Sequence, residues 1–70
     1  MDITTIGKQI AALRKERGIK QEELAGAVGV SPQAVSKWES GKSDPSTSNL
    51  LMLAKLFKIS PEELLREVEQ

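Results

Sequence analysis

Gln33, Ser36, Lys37 and Ser40 are the residues of this chain best placed to do chemistry, and that chemistry is polar recognition rather than bond making. At about 100° per residue they share one arc of a helix, while Ala34, Val35 and Trp38 fall on the opposite side. A glutamine can bond adenine N6 and N7 in bidentate fashion. A lysine reaches guanine O6 and N7 or a phosphate, and serine hydroxyls suit base edges or phosphate oxygens. Gln33, Lys37 and Ser36 are therefore candidates for base contact, and Ser40 for phosphate. A polar arc is also what an ordinary solvated helix face looks like, so the neighbouring sequence has to decide.

That neighbouring sequence is a second short amphipathic pattern. Residues 21–28 place Leu24, Ala25 and Val28 on one face, and Gly29 follows where a left-handed residue closes a helix. Ser31 then reads as an N-cap with Pro32 in the first helical position, and Val30 can pack onto Val35 one turn in. The spacing predicts a helix-turn-helix over residues 21–40, with its second, recognition helix over 32–40. A turn and a cap so well marked fix the angle of the polar arc, which favours a DNA-reading face over a solvated one.

The remaining helices supply the scaffold. Ile6, Ile10 and Leu13 are spaced for a helix from about Thr4 to Arg17, closed by Gly18. Leu50, Leu53, Ala54 and Phe57 form a stripe on a helix from about Ser46 to Phe57. Ser60-Pro61-Glu62-Glu63 is a capping box, Ile59 can staple onto Leu64, and the helix that follows carries Leu64, Leu65 and Val68. The expectation is an all-α, five-helix bundle, residues 1–70 forming a single domain. Met52 and Leu56 lie opposite the stripe of their helix. They either support the last helix, the reading preferred from the pattern, or belong to a partner surface.

Composition narrows the function. The chain has no Cys and no His, which removes the usual zinc, haem and Cys or His nucleophile chemistry; no cofactor is expected. No apolar run approaches a membrane span, so a cytoplasmic protein is expected. Ten basic and ten acidic residues cancel, which argues against a DNA partner. Distribution partly answers this: residues 1–42 hold seven basic against five acidic residues, and residues 43–70 three against five.

Taken together, Ile6-Gly7-Lys8-Gln9-Ile10, Gln21-Glu22-Glu23-Leu24-Ala25, Val28-Gly29-Val30-Ser31, Val35-Ser36-Lys37-Trp38-Glu39-Ser40-Gly41 and Ile59-Ser60-Pro61 resemble, in order, the lambda-repressor-like or Xre-type helix-turn-helix domain of bacterial and phage transcription regulators. The resemblance implies operator binding through the second helix of the motif, usually as a dimer. It implies a phosphate contact for Gln21, whose position at a helix start also favours an anion. It implies that Lys42 and Ser43 run beside the DNA backbone, although Asp44 is a poor neighbour there. Ser31 and Ser40 complete the phosphate candidates. Lys20 departs from the family's usual Ser, Thr or Asn cap, and is either a lost cap or a further phosphate contact. Arg14 and Glu39 border apolar faces and match positions that the family joins as a structural ion pair.

The expected function is therefore a sequence-specific, double-stranded-DNA-binding regulator, a repressor acting as a homodimer on a pseudo-palindromic operator. A protein-interaction module or an antitoxin or controller-type protein on the same fold is the alternative. An enzyme is the weakest reading, since the carboxylates cluster in one capped helix without a basic partner. No small-molecule substrate is evident.

Overall fold

Five helices carry the chain in the computed structural model, which describes the backbone of residues 5–66 and the side chains of 6–64: α1 (Thr5–Glu16), α2 (Gln21–Val28), α3 (Pro32–Ser40), α4 (Thr47–Phe57) and α5 (Pro61–Arg66). The all-helical bundle expected from the periodicity is what forms. Thr4, Val68 and the side chain of Leu65 lie outside the described residues. Among the described residues none of the helices exceeds twelve residues, too short to be stable alone, so each depends on the face it buries.

Those faces meet in one core of Ile10, Leu24, Ala25, Val35, Trp38, Leu53, Ala54, Phe57 and Leu64. Val30, Leu50, Leu56 and Ile59 pack against its edge, where the two staples were expected. The pattern placed Leu56 correctly as core support, but not Met52, which is 43% exposed beside Leu51 at 51%. Every residue of α4 that reaches the core draws Leu51 and Met52 outward, because a helix on the bundle's edge cannot bury its whole circumference. With Ser48, Lys55, Ile59 and Pro61 they line an open groove of about 500 Å³ between α4 and α5.

The helix ends follow the caps. Gly29 is left-handed at φ 88°, and its N–H and that of Val30 both donate to the Ala25 carbonyl, at 2.8 and 2.9 Å. Ser31 and Ser46 accept at 3.2 Å from the N–H groups of Ala34 and Asn49, and Ser60 from that of Glu63 at 3.1 Å. Lys20 accepts no such bond, as lysine chemistry requires, yet its own N–H donates to Glu23 at 2.8 Å, so half of the capping box survives. The end of α4 departs from the pattern. No glycine follows it; Lys58 itself turns left-handed at φ 60°, a cost of about 1 kcal/mol that the Ile59 N–H to Ala54 carbonyl bond at 3.0 Å offsets.

Gly7 fixes the distance between α1 and α3. It is buried, and a methyl group there would overlap the backbone carbonyl of Trp38. Gly26, in the middle of α2, is exposed with open space around it. The two glycines should respond oppositely in a thermal melt. Gly7→Ala is expected to lose about 1–3 kcal/mol through backbone displacement, whereas Gly26→Ala should gain about 1 kcal/mol from helix propensity. Equal responses would mean that α1 and α3 do not touch at Gly7.

Candidate nucleic-acid interface

The recognition helix, α3, is held against α1 and α2, and what remains is a polar surface. Val35 and Trp38 are fully inside, Ala34 and Glu39 are half-buried, and Gln33, Ser36, Lys37 and Ser40 are exposed. The structure thus brings all four residues of the expected arc to one outer face. At its start, the Ser31 hydroxyl accepts the Ala34 N–H. Its own proton stays free, so Ser31 can cap the helix and still donate to a phosphate.

At its other end the Lys37 carbonyl gathers the loop. It accepts from the N–H of Lys42 at 2.9 Å and of Ser43 at 3.4 Å, which folds residues 41–43 over the end of the helix behind the left-handed Gly41. Lys42, Ser43 and Asp44 are all exposed. The Ser40 hydroxyl also donates to the Lys37 carbonyl, at 3.2 Å. Ser40 can reach a phosphate as a donor only by giving up that bond, which makes it the weakest of the phosphate candidates.

Glu39 joins α3 to its neighbours. The Arg14 Nε donates to Glu39 Oε2 at 2.7 Å and Nη2 to Oε1 at 3.1 Å, and the same Oε1 accepts from Gln21 Nε2 at 2.9 Å. Arg14 Nη1 donates to the Ile19 carbonyl at 2.8 Å, pinning the loop between α1 and α2 as well. The two side chains are only 12% and 10% exposed, so the ion pair expected between Arg14 and Glu39 forms in a largely water-free place. Burial pushes the Glu39 carboxyl up, but the hydrogen bonds from Arg14 and Gln21 and the positive charge of Arg14 outweigh it and hold the group below its ordinary range. The same bond holds the Arg14 guanidinium above its usual value.

Gln21 stands where a phosphate contact was expected, at the start of α2, and has a second employment that the sequence pattern did not reveal. Its Nε2 carries two protons, one of which goes to Glu39; the other is left for a ligand oxygen. Lys20 is exposed beside it. Because Gln21 touches Glu39, the start of α2 abuts the end of α3. Lys20, Gln21, Lys42 and Ser43 therefore gather toward one end of the recognition helix, with Ser31 at the other, a length of about 13 Å away.

Two more residues escaped the sequence reading. Gly7 seats α1 against α3, as described. Arg17 Nη2 donates to the Phe57 carbonyl at 2.9 Å and its guanidinium lies 5.4 Å from the centre of the Phe57 ring, tying α1 to the end of α4. Among the described residues no group of His, Cys, Asp or Glu is placed to hold a metal, and no helix is long and apolar enough to cross a membrane.

A caped recognition helix seated this way has known counterparts, and the comparison decides the family. The family model described as Helix-turn-helix matches residues 10–64. The chain belongs to the lambda-repressor-like helix-turn-helix family. Repressor protein C2 of Salmonella phage P22 is 41% identical over 66 residues, covering 94% of this chain and 31% of the phage protein. The HTH-type transcriptional regulator DicA of Escherichia coli K12 is 41% identical over 61 residues, covering 87% of this chain and 45% of DicA. The chain therefore spans less than half the length of these relatives. Among solved structures, the P22 c2 repressor in complex with a synthetic operator superposes with a TM-score of 0.81 at 42% identity, over 89% of this chain and 94% of that one.

The depressed carboxyl of Glu39 sets a direction for acid stability. In the unfolded chain the group takes up its proton near its ordinary value, about pH 4.3, and in the folded protein at lower pH. Its contribution is thus complete above about pH 4.3 and is lost as pH falls through the folded value. Glu39→Gln is expected to cost about 1–3 kcal/mol at pH 7 and to flatten the acid limb of the melting-temperature profile. Parallel acid limbs for variant and parent would remove the charged pair from the account.

Proposed function

We propose that this chain binds double-stranded DNA sequence-specifically, laying α3 in the major groove, and that it acts as a transcriptional repressor. The observation that carries the reading is the exposed face of Gln33, Ser36, Lys37 and Ser40 on a helix whose opposite face is locked into the core. Gln33, Lys37 and Ser36 read base edges. Lys20, Gln21, Ser31, Lys42 and Ser43 contact phosphate, with Ser40 the least suited of the set. The P22 repressor complexed with an operator supports the reading by likeness of fold and sequence. Cytoplasmic location belongs to the same proposal.

One domain offers few contacts, and net charge supplies no general attraction. Two copies on a pseudo-palindromic site double both. Leu51 and Met52, beside the groove between α4 and α5, are an apolar surface for self-association among the described residues; Leu56, which the partner-surface alternative would have added, packs on the core. The same exposed groove is the observation in favour of the second reading, a protein-interaction or antitoxin-type module. In that case α3 variants would leave function intact and Leu51 or Met52 variants would not.

Selection of bound sites from random duplex DNA tests the reading. Gln33→Ala should lose about 1–3 kcal/mol on the selected site and relax one base position, with the salt slope nearly unchanged. Identical site preference and affinity for variant and parent would remove Gln33 from base reading. Analytical ultracentrifugation with and without the selected duplex should give two protomers per site, with half-sites about 34–36 Å apart. A 1:1 complex of full affinity on a single half-site would rule out the dimer.

A further inference from the structure

Five residues of α3 are exposed: Pro32, Gln33, Ser36, Lys37 and Ser40. Four are polar and already have roles in the reading above. Pro32 alone presents an apolar surface, and it does so at the first position of the helix. The Ser31 cap and the fixed φ of proline explain why the helix starts well there. They leave open what the ring meets when the helix is in use.

The chemistry of that meeting is narrow. In helix-turn-helix docking the first residues of the recognition helix lie against base edges. Proline has no N–H and its ring no polar atom, so it satisfies none of the donors and acceptors that line the major groove. Set against an adenine, guanine or unmodified cytosine edge, the ring would strip water from a polar group and return nothing. One apolar group projects from a pyrimidine into that groove, the methyl on C5. Thymine carries it, and so does 5-methylcytosine.

We infer that Pro32 is a specificity-determining residue that reads a pyrimidine C5 methyl at one position of each half-site, by contact of its ring with that methyl. The inference rests on the DNA-binding reading of α3, and adds to the hydrogen-bonding residues a contact that works by exclusion of polar edges as much as by attraction. Pro32 is on the same exposed side as Ser36, one turn further on, so the methyl-bearing base neighbours the one that Ser36 faces.

The test uses the full chain and the duplex it selects. Each thymine of a half-site is replaced in turn by deoxyuridine, which removes the methyl and keeps every hydrogen-bonding group. One position is expected to weaken binding about fourfold, the effect of leaving one methyl unburied. At that position the loss should shrink in Pro32→Ala, which removes the ring's outer carbons, leaves the Ser31 cap untouched and has its folding checked by a melting temperature. Replacing the pair's thymine by cytosine and by 5-methylcytosine separates the two sources: tighter binding of 5-methylcytosine than of cytosine means the methyl is read on either base, and no difference means thymine is read. Pro32→Gln, which adds an amide at the same place, should move the preference there toward adenine. A site with no methyl-sensitive position, or the same sensitivity in Pro32→Ala, overturns the inference while leaving Gln33 and Lys37 in place. Failure to select any duplex removes the DNA-binding reading itself, and the inference with it.

Discussion

Glu39 accepts three hydrogen bonds, two from Arg14 on α1 and one from Gln21 on α2, and the orientation of the recognition helix depends on them. A helix of nine residues has little stability of its own, and apolar packing against Val35 and Trp38 is non-directional. Packing alone would hold α3 to the bundle without fixing its rotation. A bidentate guanidinium and carboxylate, by contrast, are satisfied at one rotation and one depth. Removing two charges from water offsets much of the attraction between them, so the pair contributes more to geometry than to net stability. The neighbouring Gly7 does the same by a different means, admitting the Trp38 backbone to a depth that any side chain would forbid.

These constraints also decide how the outer face is used. Because Glu39 is engaged with Gln21, the start of α2 and the end of α3 behave as one unit, and a phosphate gripped by Gln21 would bear on the helix that reads bases. The two protons of the Gln21 amide make that coupling direct. Serine protons sort the remaining candidates: Ser31 accepts in its cap and can still donate, whereas Ser40 already donates to the Lys37 carbonyl. Hydroxyls of identical chemistry on one helix thus differ in what they can offer a ligand.

Where a feature is local in the chain it was legible in the sequence. Gly29, the Ser31-Pro32 start, the Ser60 box and the opposed faces of α3 all rest on interactions within a few residues, and all are present. Arg14 with Glu39 spans 25 residues and was found through a family resemblance, not through spacing. Interactions without either aid were missed. Arg17 reaches a carbonyl 40 residues away. Gly7 reads as an ordinary helix residue until the backbone that passes beside it is known. Lys58 adopts a conformation that glycine usually signals, and what holds it there, the Ile59 N–H bond to the Ala54 carbonyl and the packing of Ile59 on the core, leaves no glycine in the sequence to mark the turn. The exposure of Met52 had the same origin: a helical wheel gives angles between residues, and not which angle the neighbouring helices will cover.

The balance of charge then shapes what kind of DNA binder such a fold can be. Arg14 is used by Glu39, and Arg17 by the Phe57 carbonyl and Glu16. Lys20 and Lys42, proposed to meet phosphate, and Lys37, proposed to meet bases, are all exposed. Two phosphates neutralised per protomer, by Lys20 and Lys42, would give a logarithmic salt slope of about −1.8, and about −3.6 for a pair of protomers. That is a modest electrostatic term, and it attracts all sequences alike. Glu22, Glu23 and Asp44, exposed around the same surface, reduce it further. On the proposed reading, discrimination has to come from the few groups assigned to base edges, and weak attachment to other DNA makes each of those groups count for more in the ratio of specific to non-specific binding. As a proposed dimer, a neutral chain on this fold is suited to selectivity at modest affinity, and a second protomer would restore the occupancy that a single one lacks.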